Sequence, residues 1–235
     1  MKNLVKDILK FASVPGINYV LLKDNGKGVS IQSVHDDNRF ILIGQYNHPV
    51  EGIDQTGIGI TPIKELKDVV KNLDIDDVEV KINDKKAIVF SENSFWVSVM
   101  TAEAKDVQKQ PIFKGVPPCE IDTTITKDAV IAAKKFAKFC RNNTFTLNTG
   151  HITNDGSTHL LMQDYLGGVF GCSIFIQNVG VLPHNQDFRF DVRSFIDVLT
   201  TVPVGSKLEI TSKGLMVIST ANETSSWQYI FPTVG

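Results

Sequence analysis

The sequence predicts an α+β fold of two repeated domains, each with two helices packed on antiparallel sheets. The first observation is that the order helix, strands, helix, three strands occurs twice. The second is the spacing, because corresponding helices start near Asn3 and Thr126, and near Thr61 and Asp191. The third is a proline-rich polar segment between the halves. We therefore predict a first domain at 1–105, an interdomain connector at 106–118 and a second domain at 119–235.

The first half is predicted from its apolar periodicity and its turn residues. Pro15-Gly16 ends the first helix, and Thr61-Pro62 begins the second, with a capping hydroxyl and a proline in the first turn. Glycine and proline are frequent in 47–60, so strand pairing there is not predicted. The predicted elements are helices at 2–13 and 61–73, and strands at 17–23, 29–34, 40–46, 78–82, 87–91 and 95–101.

The second half repeats this plan after the connector. Thr126 is expected to cap its first helix, and Pro203 to end its second. Trp96 and Trp227 fall in the third strand of each closing trio, where we expect core or sheet-surface packing. The predicted elements are helices at 126–142 and 191–202, and strands at 119–125, 144–152, 158–163, 169–177, 207–211, 215–220 and 227–231, with 188–190 leading into the second of these helices.

The bulk composition excludes several classes of protein. With 42% hydrophobic and 21% charged residues the chain is an ordinary globular protein, and its net charge of −2 excludes a general polycation. The charged start MKNLVKDILK is not expected to be a signal peptide, and no apolar run of about 18 residues predicts a membrane span. The three cysteines lack CxxC spacing, which favours reduced thiols over a zinc site. We expect a cytoplasmic protein without a membrane partner.

Basic side chains lie on one side of three predicted helices when successive residues are placed 100° apart. The apolar residues of each helix fall opposite, including Phe136, Phe139 and Cys140 in the third helix. The fourth helix has only Arg193. The basic residues are Lys2, Lys6 and Lys10, then Lys64, Lys67 and Lys71, then Lys127, Lys134, Lys138 and Arg141.

The charges of the chain are segregated. The four predicted helices hold twelve basic and six acidic residues, although the whole chain has a net charge of −2. One interpretation is that lysine, a good helix former, marks solvated faces. The other is that three helices share a surface that contacts the phosphates of a polyanion without reading base sequence.

The order of elements and three local segments resemble the DNA sliding clamp family, which includes proliferating cell nuclear antigen and tailed-phage clamps. The segments are VSIQSV at 29–34, GITPIKELK at 59–67 and WQYIFP at 227–232. The resemblance covers nearly the whole chain. It implies clamp-type domains that form part of a closed ring. Because six such domains close the family's ring, a chain of two domains implies a homotrimer.

The resemblance also implies a function. The ring would encircle duplex DNA as a DNA polymerase processivity factor, with no enzymatic activity, no cofactor and no metal. Its partners would be DNA polymerase and a clamp loader, with nucleases, ligases and transcription factors as further candidates. The short connector favours a viral or phage source, and then the host cytoplasm. The DNA-facing residues would be Lys6, Lys10, Lys64, Lys67, Lys71, Lys134, Lys138 and Arg141.

A pocket for a partner's hydrophobic peptide is expected between the domains. Apolar residues of the connector have no core of their own to fill, and exposed apolar residues of this kind commonly mark binding sites. The alternative is that Ile112 and Phe113 only pin the connector to the domain behind it. The predicted pocket residues are Val34, Ile41, Ile112, Phe113, Val116, Ile230, Phe231 and Pro232.

Two other functions remain open. The chain could be a monomeric clamp-like polymerase accessory protein, or a phage structural protein built of repeated β units. The sequence has no recognisable catalytic motif, so an enzyme is the least favoured class. Gly57-Ile58-Gly59 lacks the GK[ST] ending of a phosphate loop, and His35-Asp36-Asp37 is better explained as a polar hairpin tip than as a cation site.

Overall fold

The structure is a computed structural model that describes residues 1–107, 115–140, 143–152, 158–164, 171–175 and 187–234. The chain forms two compact units. Unit 1 consists of Met1–Ile112 and Ala221–Trp227, and unit 2 of Phe113–Thr220 and Gln228–Gly235. The sequence-based division placed all of 119–235 in one domain, whereas Ala221–Trp227 packs in unit 1.

The secondary structure follows the predicted order. In the first half the elements are α1 (Lys2–Phe11), β1 (Val20–Asp24), β2 (Val29–Val34), β3 (Ile41–Tyr46), β4 (Ile58–Ile60), α2 (Ile63–Lys71), β5 (Glu79–Ile82), β6 (Ile88–Glu92), β7 (Phe95–Val99) and β8 (Thr101–Glu103). In the second half they are β9 (Ile121–Thr124), α3 (Lys127–Phe139), β10 (Thr144–Ile152), β11 (Thr158–Asp164), β12 (Gly171–Phe175), β13 (Asp187–Asp191), α4 (Val192–Thr201), β14 (Lys207–Ile210), β15 (Met216–Ala221) and β16 (Ser225–Phe231).

Unit 1 contains two antiparallel sheets. One has the order β8-β4-β1-β2-β3 and continues with the first part of β16, and the other has the order β5-β6-β7. The apolar side of α1 is buried through Leu4, Val5, Ile8 and Phe11, and the Phe11 ring lies 5.2 Å from the ring of Trp227. The amphipathic pattern of α1 therefore directs its lysines away from the core.

The glycine-rich region 47–60 ends in the short strand β4, which the sequence did not predict. Asp54 closes the turn before it by accepting the N–H groups of Thr56 and Gly57, each at 2.9 Å. The hydroxyl of Thr56 and the N–H of Gly57 lower the pKa of Asp54 to about 2. Gly57 has φ +80°, and a Cβ there would lie 2.6 Å from the carbonyl oxygen of Leu22, so this turn requires glycine.

The start of α2 differs from the prediction. Pro62 is the N-cap residue, and no side chain caps the helix, so the expected capping role of Thr61 is wrong. In α3, by contrast, Thr126 accepts the N–H of Ala129 at 3.1 Å, as expected. The difference arises because Thr61 lies one position too far from the first helical turn for its hydroxyl to serve as the cap.

Unit 2 also contains two antiparallel sheets, with the orders β12-β11-β10-β13 and β15-β14-β9, and the second part of β16 lies beside β15. Helix α3 packs against β12 and α4. Aromatic rings fill its core: Phe145 lies 5.2 Å from Phe195 and 5.8 Å from Phe190, and Phe195 lies 6.3 Å from Phe231. These rings bury large apolar areas and fix α4 over the sheet.

The predicted fold class is confirmed, since four helices pack on antiparallel sheets in two units. Across the residues that the structure describes, no helix is long and apolar enough to cross a membrane.

Candidate nucleic-acid interface

Helix α2 presents the clearest predicted lysine row. Ile63 and Leu66 are buried and direct the opposite side of the helix to solvent, where Lys64, Lys67 and Lys71 are exposed. None of these three lysines makes an ion pair with another described residue. Their ammonium groups are therefore available to an anion from solvent.

Helix α1 presents a different arrangement. Lys10 is exposed, with its Nζ 4.9 Å from the ring centre of Phe11. Lys6 makes an ion pair with the carboxylate of Asp76, which lies in the loop between α2 and β5. The side chain of Lys6 is 39% exposed. Lys2 donates from its Nζ to the backbone oxygen of Asp76 at 2.9 Å. Two of the three α1 lysines are thus engaged with one loop.

Helix α3 continues the pattern in unit 2. Ala129, Ala133 and Phe136 are buried, and Lys134 and Lys138 are exposed, as are Lys127 and Lys135. No ion pair joins these four lysines to the part of the chain that the structure describes. Arg141, predicted to extend this row, lies outside the described residues. Helix α4 offers only Arg193, in line with its weak predicted stripe.

The free charges of α2 and α3 suit one kind of chemistry. Lysine ammonium groups on flexible stems act as point charges that contact phosphates, and they do not read the edges of bases. Among the described residues no group of three or more His, Cys, Asp and Glu side chains is arranged to hold a metal ion. At the β2–β3 turn, His35 accepts the N–H of Asp37 through Nδ1 at 3.1 Å, an interaction internal to the hairpin tip.

The residues predicted to form the partner pocket differ widely in exposure. In unit 1, Val34 and Ile41 are opposite each other on β2 and β3, with Val34 buried and Ile41 half-buried. In unit 2, Ile230 and Phe231 are buried, whereas Val116 is half-buried and Pro232 is exposed. Ile112 and Phe113 lie outside the described residues. The pocket itself stays a prediction.

Several exposed apolar side chains were not predicted to be functional. Phe95 and Trp96 are 55% and 68% exposed at the start of β7, a terminal strand of its sheet. On α3, Ile131 is 43% exposed, and Phe139, which the helical pattern had placed on the buried side, is 59% exposed. Two adjacent aromatic residues in the predicted strand 95–101 were the signal in the sequence for an exposed apolar surface. Periodicity alone does not distinguish such a strand from one buried in the core.

The structure is similar to three solved structures of clamps. It matches A. fulgidus PCNA bound to the C-terminal region of FEN-1 with a TM-score of 0.68 and 12% identity, covering 100% of this chain and 94% of that one. It matches PCNA from Thermococcus kodakaraensis with a TM-score of 0.70 and 10% identity, covering 99% and 95%. It matches DNA polymerase III subunit beta from Borrelia burgdorferi with a TM-score of 0.71 and 13% identity, covering 100% of this chain and 61% of that one.

These similarities span the whole chain at low identity, so they establish the fold. The chain has the sliding-clamp fold, and the resemblance inferred from its sequence is confirmed at that level. No protein-family model and no curated protein matches the sequence.

Proposed function

We propose that the protein is a sliding clamp, a homotrimeric ring that encircles duplex DNA and tethers DNA polymerase to it. The observation that carries the proposal is that α2 in unit 1 and α3 in unit 2 each present solvent-exposed lysines without described ion pairs, in a chain with the clamp fold. Such lysines on helices are suited to the phosphate backbone of DNA, because their contacts are independent of base sequence.

The proposed mechanism is topological. A closed ring leaves a circular duplex only by opening, so each lysine–phosphate contact can stay weak and exchange rapidly while the ring moves. The remaining surface of the chain is acidic, since the helices are basic and the net charge is −2. Repulsion from that acidic surface would keep DNA away from the outside of the ring. No bond is made or broken, so the proposed function is not enzymatic.

The DNA-facing role of α3 is tested by reversing two of its charges. We expect Lys134→Glu with Lys138→Glu to weaken binding of duplex DNA and to shorten the products made by the cognate polymerase on a primed circular template. The fold should remain intact, because substitutions of exposed residues typically change the free energy of unfolding by no more than about 0.5 kcal/mol.

A matched control changes the net charge equally at turns between strands. Lys85 and Lys213 are both exposed, and both lie outside the helices. Lys85→Glu with Lys213→Glu should leave DNA binding and product length close to those of the unmodified protein. Equal losses in the two double variants would show that net charge, and not the α3 row, governs binding, and would contradict the assignment.

We propose that DNA polymerase and a clamp loader bind through a short hydrophobic peptide at the predicted pocket. Ile41, Val116 and Pro232 are the members with exposed or half-exposed side chains. Ile41→Ala with Pro232→Ala should reduce the affinity for a labelled polymerase C-terminal peptide, while the mass of the assembly stays the same. Phe231 is unsuitable for this test, because its substitution would open the core of unit 2. Unchanged affinity would move the pocket elsewhere.

A further inference from the structure

The α2–β5 loop holds an acidic residue against the lysines of α1. The carboxylate of Asp76 makes an ion pair with Nζ of Lys6, and the backbone oxygen of Asp76 accepts Nζ of Lys2 at 2.9 Å. The loop has its own support, because the carboxylate of Asp74 accepts the N–H of Asp76 at 3.1 Å, and its backbone oxygen accepts the N–H of Asp77 at 3.0 Å. Asp76 is therefore held beside α1 by contacts that do not need its own carboxylate.

We propose that Asp76 is an internal competitor of DNA phosphate for Lys6, so that α1 contributes its full charge to DNA only when this ion pair opens. The inference rests on the proposed function and concerns the regulation of the same basic surface. A carboxylate and a phosphate oxygen satisfy the same ammonium donor, so binding of one excludes the other from an equivalent position.

The exposure of the pair suits an exchangeable contact. The side chains of Lys6 and Asp76 are 39% and 72% exposed, and ion pairs of that exposure are weak and screened by salt. A phosphate arriving from solvent can therefore displace Asp76 at little cost. The hydrogen bond and the charge of Lys6 lower the pKa of Asp76, because the ammonium group stabilises the ionised carboxylate.

The helices would therefore differ in how much positive charge they offer to DNA. The lysines of α2 and α3 have no described ion pair and offer their charge continuously, whereas Lys6 offers its charge conditionally. Fewer phosphates are then neutralised at any moment, and the affinity depends less steeply on salt than the number of lysines implies. This contact would favour movement along DNA over tight static binding.

Four variants separate competition from simple repulsion: Asp76→Asn, Lys6→Met, the double variant, and Asp77→Asn as the matched control. Asp77 is exposed in the same loop and has no ion pair with a described residue, so its substitution removes the same charge without releasing a lysine. Binding of the full-length proteins to a short end-labelled duplex is measured by fluorescence anisotropy across a series of salt concentrations.

We expect Asp76→Asn to tighten binding severalfold and to steepen the slope of log affinity against log salt by about one unit for each lysine released. Asp77→Asn should tighten binding less, because it removes only repulsion. In the Lys6→Met background, Asp76→Asn should have no more effect than Asp77→Asn has.

Equal effects of Asp76→Asn and Asp77→Asn, or an unchanged effect of Asp76→Asn in the Lys6→Met background, would refute the competition and leave the proposed function standing. Absence of duplex binding by every protein, the unmodified chain included, would instead refute the DNA contact on which both proposals rest. The two failures are therefore distinguished by the unmodified protein alone.

Discussion

At the scale of single residues, one buried carboxylate ties the end of the chain to its beginning. Asp7 is 7% exposed on α1 and accepts hydrogen bonds from Asn222 at 3.0 Å, Thr224 at 3.0 Å and Ser225 at 2.7 Å. The hydroxyl of Ser225 in turn accepts the indole N–H of Trp227 at 2.8 Å. This network explains why Ala221–Trp227 packs in unit 1.

Asp7→Ala should lower the free energy of unfolding by about 1–3 kcal/mol, because buried donors lose their acceptor. Asp7→Asn keeps one acceptor oxygen at similar volume and should lose less. The measurement is urea unfolding of the full chain. Asp68→Ala is the control, since Asp68 is an exposed acidic residue on α2. Equal changes for Asp7→Ala and Asp68→Ala would show that the network adds nothing to stability.

The sequence could not predict this network. An acidic residue within an amphipathic helix is usually solvated, and the partners of Asp7 lie more than two hundred positions away along the chain. The prediction that Phe139 lies on the buried side of α3 was wrong for a related reason. Helical periodicity places it on the apolar side of α3, but the helix buries Ala129, Ala133 and Phe136 and leaves the last turn exposed. Periodicity gives directions around a helix and not the extent of the surface that covers it.

At the scale of elements, the helices were predicted to within three residues at each end, because amphipathic periodicity gives a strong signal and capping residues, Pro or Gly mark several of the ends. The strands β4 and β8 were missed. Each has three residues, and their pairing depends on a turn closed by Asp54. A strand of that length carries too little alternation to be recognised without its partner.

The terminal strands β7 and β12 are where we expect copies of the chain to meet. Each lies at the end of the strand order of its sheet, and a terminal strand presents backbone groups that can pair with another chain. Phe95 and Trp96 are exposed at β7, and Ile131 and Phe139 are exposed on α3, which packs against β12. Pairing β7 of one copy with β12 of the next would give a head-to-tail contact, which closes into a ring when the rotation permits.

Trp96→Glu should shift the assembly toward monomers, because a tryptophan buried at an interface often contributes about 2 kcal/mol or more to the binding free energy. Light scattering over a range of concentrations measures the mass: the chain is 26.0 kDa, and three copies give about 78 kDa. Val204→Glu is the control, since Val204 is 60% exposed on the loop after α4. An unmodified protein that stays at 26.0 kDa and still stimulates its polymerase would favour the monomeric accessory protein.

At the scale of the whole molecule, the repeated order of elements was enough to predict the α+β class and the clamp fold. The order of elements could not predict which lysines make ion pairs within the chain. Lys6 and Lys64 are equivalent in a helical pattern, but of the two only Lys6 makes an ion pair with a described residue, Asp76 of the α2–β5 loop. Such differences arise from loops that come together in three dimensions, and spacing along one helix carries no information about them.

The topological mechanism makes a prediction that concerns the assembled ring and no single residue. If the ring encloses DNA, the protein should stay on a duplex at high salt only when that duplex has no free ends, because lysine–phosphate contacts alone are lost at high salt. The protein is mixed with nicked circular plasmid and its loader, cross-linked between subunits, and passed through a sizing column at high salt. We expect it to elute with the circular plasmid.

Cutting that plasmid once with a restriction enzyme should release the cross-linked protein, since a ring slides off a free end, whereas a protein attached by surface contacts has the same contacts on both forms of DNA. A phage structural protein of repeated β units would show neither retention nor release. Retention that survives linearisation would contradict enclosure of the duplex. Because lysine–phosphate contacts are lost at this salt concentration, such retention would have to come from contacts other than those of the lysines on α2 and α3.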